Sequence, residues 1–149
     1  MSCILTIRGK NLDIDALLSK SKLKPYRKSY KGQPRMKSKP EGEKLSFSSF
    51  SIEMSKAGFD NLKKQIADTV RYLKRNKDKL ACIATTKEIQ HACLDFGIDL
   101  RIDGKKILIQ SDYFPSELLK LAGELGLGIE LSLYPVDLEE TLQKISRKK

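Results

Sequence analysis

The sequence predicts an α+β fold: a single mixed, mostly antiparallel sheet with helices mainly on one face. Three observations predict it. Apolar residues recur with a period of two at residues 3–7, 45–54 and 129–133, the spacing of half-buried strands. They recur at helical spacing through Phe59, Leu62, Ile66, Val70 and Leu73, and again through Leu118, Leu121, Ala122 and Leu125. From residue 80 to 134 the elements read β-α-β-β-α-β after an opening β-α-β-α, so strands and helices are interspersed.

Each element has its own signal. Cys3, Leu5 and Ile7 alternate with Ile4, Thr6 and Arg8, and Gly9 ends this first strand. Leu12, Leu17 and Leu18 suit a short helix with Asn11 or Asp13 as N-cap. A loop over 19–44 follows, holding three prolines and two glycines and showing no apolar period. In the second strand, Leu45 and Phe47 are out of phase with Phe50, Ile52 and Met54, which predicts either a bulge at Ser48–Ser49 or a strand covered on both faces. The longest helix covers 59–76; its outward Lys64, Asp68 and Arg71 read as ordinary intrahelical ion pairing.

Residues 80–84 then read as a short strand. Thr85 and Glu88 fit a capping box opening a helix that buries Ile89, Cys93 and Phe96 and stops at Gly97. Ile98, Leu100 and Ile102 alternate, as do Ile107 and Ile109, and Asp103-Gly104 between them predicts a two-residue hairpin pairing Leu100 with Ile107. Pro115 suits the first turn of the next helix, and Gly126 and Gly128 close it. A last strand follows, and Asp137 opens an amphipathic helix extension over 136–146. The predicted order is β-α-β-α-β-α-β-β-α-β-α, ferredoxin-like in its C-terminal part. The expected core includes Leu62, Ile66, Val70, Leu100, Ile107, Ile109, Leu121 and Leu131.

The length of 149 residues suits one α/β domain over 1–149. No run reaches the roughly 18 apolar residues of a membrane span, and MSCILTIRGK lacks the basic and small-residue features of a signal peptide. Three irregularly spaced cysteines make no disulfide framework, which predicts reduced thiols and a cytoplasmic protein.

Charge is the unusual feature. The loop 19–44 holds ten basic residues against two acidic ones, so it carries +8 of the chain's net +10. Tyr26 and Tyr30 are interleaved with Lys22, Lys24, Arg27, Lys28, Lys31 and Arg35, and these eight are the candidate partner-binding residues. Such a loop can complement an acidic protein surface or, as the alternative, neutralise phosphates while its rings stack on bases.

Other chemistry finds little support in the sequence. On a helix, the one histidine, His91, would point away from Cys93, which excludes a local thiol–imidazole pair. One histidine and three scattered cysteines without a Cys-x-x-Cys pair predict no metal site. Gly123, Gly126 and Gly128 close a helix rather than open one, so they are no nucleotide loop. The sequence therefore predicts no catalytic residues and no cofactor.

Several stretches together resemble a known family. They are ILTIRG, Asp13–Leu18, Pro25–Gly32 with its tyrosines, SFSSFSI, the long helix, and FPSELLKLAGELGLGIELSLYP. Over residues 3–135 the chain is similar to a family of small bacterial proteins described as a domain of unknown function. The resemblance implies a compact α/β domain without an assigned active site and, by analogy, an immunity-type inhibitor of a bacterial toxin. Nuclease inhibitors of that type tend to be acidic, so this basic chain would suit a toxin with an acidic face.

Overall fold

The computed structural model describes residues 2–136. The elements are β1 (Cys3–Gly9), α1 (Ile14–Ser21), β2 (Arg27–Ser29), β3 (Ser48–Ser55), α2 (Leu62–Arg75), α3 (Lys77–Thr85), β4 (His91–Leu100), α4 (Ser116–Glu124) and β5 (Gly128–Pro135). One mixed sheet holds the strands in the order β2-β3-β1-β4-β5. All neighbouring strands are antiparallel except β4 and β5. No helix among the described residues is long and apolar enough to cross a membrane.

Strand alternation divides the sheet into two unlike faces. Cys3, Leu5 and Ile7 of β1, Phe50, Ile52 and Met54 of β3, and Leu94 and Phe96 of β4 are buried in one cluster. Ile14 and Leu17 of α1, Ile66 and Leu73 of α2, Leu80 and Ile83 of α3, and Leu118 and Leu121 of α4 join that cluster, so the helices cover the same face. The opposite face presents Thr6, Arg8, Ser49, Ser51, His91, Cys93 and Asp95.

The helix ends follow local chemistry. Asp13 caps α1, its Oδ1 accepting from the Ala16 N–H at 2.9 Å. Asn61 caps α2 by accepting from the Lys64 N–H at 3.1 Å. Gln65, fully buried, donates from Nε2 to the Gly58 and Gly97 carbonyls at 3.0 and 2.8 Å, which ties α2 to β4. Asp68 accepts from Ser55 Oγ at 2.9 Å and from Lys64 and Arg71. The serine bond first, then Lys64 and Arg71, hold its carboxyl below the usual range. Ile66 is buried as the helix phase requires. Ile66→Ala should lower the unfolding free energy by about 2–4 kcal/mol in a denaturant titration, and a change near zero would place that side of α2 outside the core.

The α+β class and the one-sided helix layer are as expected, but several local expectations are corrected. Residues 80–84 are helix, not strand: Leu80 and Ile83 are the buried pair, three apart, and a short apolar run has no period that separates the two states. Thr85 does not open a helix with Glu88 but is the last residue of α3, its Oγ1 donating to the Cys82 carbonyl at 3.3 Å. Residues 91–100 are strand because Leu94, Phe96 and Ile98 alternate inward while β1 and β5 occupy both edges of β4.

That interior placement also removes the expected hairpin. Leu100 pairs in parallel with Pro135, and the neighbouring Asp99 N–H donates to the Phe59 carbonyl at 3.1 Å, so this end of β4 is engaged by β5 and Phe59 rather than by 107–110. Asp103-Gly104 does turn, with Gly104 at φ 73° and Asp103 Oδ1 accepting from the N–H groups of Lys105, Lys106 and Ile107. Ile107 and Ile109 are consequently exposed, as is Leu131 on edge strand β5, while Leu100 is half-buried.

The expected bulge at Ser48–Ser49 is absent. β3 begins at Ser48 and its register against β1 runs unbroken from Gly9 to Ile4; the slip lies between Cys3 and Ile4. Phe47 precedes the strand and lies under the Arg8 guanidinium, 5.1 Å from the ring centre. The expected loop 19–44 is also interrupted, by the end of α1 and by β2. The expected C-terminal helix, apart from Val136, lies outside the described residues.

Candidate binding face

The site is built from the sheet face that the helices do not cover. β2 pairs Arg27 with Ser51 and Ser29 with Ser49, and β1 pairs Thr6 with Ser51. A period of two therefore sets Arg27, Ser29, Ser49, Ser51 and Thr6 on one surface. The Thr6 and Ser51 hydroxyls lie 3.3 Å apart across the ladder.

Residues 30–45 fold into an arm beside this surface. The Gly32 N–H donates to the Leu45 carbonyl, the Leu45 N–H to Gln33, and the Arg35 N–H to Glu43, all at 2.8 Å. A bridge between Pro34 and Lys44 continues this pairing. Arm and sheet together enclose a concavity of about 940 Å³ lined by Arg27, Arg35, Lys37, Phe47, Thr6 and Asp95, among others.

The eight residues predicted for partner binding do not form one site. Tyr26, Arg27, Lys28 and Arg35 line this concavity. Lys22 and Lys24 line a second cleft of about 390 Å³, against Tyr72 and Lys79, which Tyr26 shares. Lys22 closes α1 in the left-handed region at φ 58°. The polar ends of Lys28, which also lines the concavity, and of Tyr30 are tied to α1: Lys28 Nζ and the Tyr30 hydroxyl both reach Asp15 Oδ1 at 3.0 Å. These bonds, Lys28 first, hold the Asp15 carboxyl below its usual range, and Tyr30 followed by Asp15 raises the Lys28 ammonium above its own. Lys31 is exposed, its backbone N–H donating to Ser48 Oγ at 3.1 Å. Arg35 makes a two-pronged contact with Glu43, at 3.2 and 3.0 Å. Arg27 and Lys37 make no ion pair among the described residues.

Sequence reasoning missed Lys37, the hydroxyl-bearing sheet surface and the acidic side of the same face. The alternation of Ser49 and Ser51 with Phe50 and Ile52 was the signal for that surface. On the acidic side, Asp95 of β4 accepts from Ser132 Oγ of β5 at 2.7 Å. Beside it, the ligand atoms of His91, Cys93 and Glu130 lie within 4.8 Å of one another. Cys93 Sγ is 3.7 Å from Glu130 Oε2. Burial, and then the Glu130 charge, push the Cys93 thiol up to about 11. Cys3, on the covered face, is pushed up to about 12 by burial. On a helix His91 and Cys93 would diverge; on a strand two residues apart share a face, so the corrected secondary structure is what brings them together.

No curated protein and no solved structure matches the chain. A family model described as a domain of unknown function, DUF4279, matches residues 1–136. That match takes in every element described above, and the chain belongs to this family.

Proposed function

We propose that this chain is a non-enzymatic binding protein whose basic arm and open sheet face grip an acidic protein surface, as an immunity-type inhibitor grips its toxin. The observation that supports the reading is the convergence of Arg27, Arg35 and Lys37 on one concavity backed by hydroxyls and Phe47. Cations at the rim of a preformed concave surface steer an acidic partner and fix its register. Three free cysteines suit a reducing cytoplasm.

The second reading is nucleic-acid binding, favoured by Tyr26 and Phe47 beside those cations. Mixed charge weighs against it. Asp95 lines the same concavity and Glu43 accepts from Arg35 Nη1 with both carboxylate oxygens, and both acids would repel a phosphate chain. A protein surface, which carries both signs, matches this pattern better.

The test is Arg27→Gln/Arg35→Gln/Lys37→Gln. Its melting temperature should stay close to that of the parent, because exposed charges contribute little to stability. A partner captured from extract of the native cell should be lost, with affinity down at least about tenfold. Retention of that partner by the triple variant would remove the arm from the function. Tight oligonucleotide binding, falling with salt by a slope of about −0.9 per neutralised phosphate of a duplex, would establish the second reading instead.

A further inference from the structure

We propose that His91, Cys93 and Glu130 form a three-ligand site for a zinc-type divalent cation on the open face of the sheet, at its β4–β5 side. This stands apart from the binding function above, since it uses none of the arm residues.

The donor set points to the class of metal. Thiolate, imidazole and carboxylate together suit zinc and its neighbours, whereas magnesium and calcium favour all-oxygen sites. Zinc–ligand bonds of about 2.0–2.3 Å in a tetrahedron put neighbouring ligand atoms roughly 3.2–3.7 Å apart. Here they lie within 4.8 Å of one another, with sulfur and carboxylate already at 3.7 Å. The remaining closure is about 1 Å. It falls on side chains with room to turn, because Glu130 is exposed and His91 half-buried.

The scaffold is suited to holding such a site. His91 and Cys93 are alternate residues of one strand, and Glu130 lies on the neighbouring strand opposite Asp95, so the sheet ladder fixes all three backbone positions. Cys93 is buried while Glu130 is exposed and His91 half-buried, so water from the solvent side would supply the fourth ligand. On binding, the thiol proton passes to solvent and a sulfur–metal bond replaces the S–H bond. Thiolate and carboxylate then offset the charge of a divalent ion. Asp95 adds a further negative charge on the same face, oriented by Ser132. Arg8, across the ladder from His91, opposes the cation, and its guanidinium lies over the Phe47 ring.

The experiment uses the full chain without an affinity tag, stripped of metal and titrated with Co²⁺ and then Zn²⁺. One Co²⁺ per chain should bind with a sulfur-to-metal charge-transfer band, and Zn²⁺ should displace it. Cys93→Ala should abolish the band. His91→Ala and Glu130→Gln should each weaken Zn²⁺ by at least about 100-fold, since losing even an outer-shell partner costs about 10–100-fold. Circular dichroism would check each variant's fold. Glu130 is exposed, so Glu130→Gln keeps the test decisive if Cys93→Ala fails to fold. Absence of a stoichiometric thiolate band, its survival in folded Cys93→Ala, or unchanged Zn²⁺ affinity in the other two variants would overturn the site.

Discussion

Phe96→Ala should lower the unfolding free energy by about 3–5 kcal/mol, the range for an aromatic ring removed from a core. Phe96 is 0% exposed on the interior strand β4. It packs edge-on against Phe114, with ring centres 5.2 Å apart and planes at 62°. Such a pair adds about 0.5–1.5 kcal/mol beyond the buried area. The void would be bounded by β1 and β5 on both edges of β4, so collapse into it is restricted. Urea titration gives the number, and Phe114→Leu, at a half-buried position, should lose less. A loss below about 1 kcal/mol for Phe96→Ala would contradict the packing of β4 described here.

The second large effect is expected from a single added carbon. In Gly9→Ala the new Cβ would lie 2.0 Å from the Glu88 carbonyl oxygen. That oxygen belongs to a segment pinned over the end of β1: the Gln90 N–H donates to the Arg8 carbonyl at 3.0 Å, and Gln90 Oε1 accepts from the Lys10 N–H at 2.8 Å. Relief requires movement of backbone rather than of a flexible side chain, and overpacking of this kind costs about 1–3 kcal/mol or more. Gly123→Ala is the contrast. A Cβ there, on α4, meets nothing within 4 Å, and replacing a helical glycine by alanine gains about 0.5–1 kcal/mol. Thermal unfolding of the two variants should therefore shift in opposite directions, and a shared direction would refute the close approach at Gly9.

What the sequence reveals depends on how local each cause is. An N-cap at Asn11 or Asp13, a helix start at about Pro115 and the alternation of β1 were legible because neighbouring residues determine them. Residues 89–98 were not. Ile89, Cys93 and Phe96 have helical spacing while Leu94, Phe96 and Ile98 have strand spacing, and β1 and β5 on either side decide between them. β2 contains no apolar residue at all. It is a strand only because β3 offers an edge, and no pattern in residues 27–29 announces that. The same limit governs the two chemical clusters. The charge of the arm is contiguous in sequence and could be counted, whereas His91, Cys93 and Glu130 meet across strands, and reading His91 on a helix sent its side chain the wrong way. Lys28 and Tyr30 looked free because Asp15, their partner, lies on α1.

β2 touches the sheet through three residue pairs, and none of the side chains from 31 to 44 belongs to the core. The heritable consequence is a separation of duties. Changes of sign among the charged side chains from 31 to 44 leave the buried cluster untouched, so variation there acts on the arm rather than on the core. Under the binding role proposed above, a lineage built on this scaffold can exchange one partner for another while the five strands and their helices stay as they are.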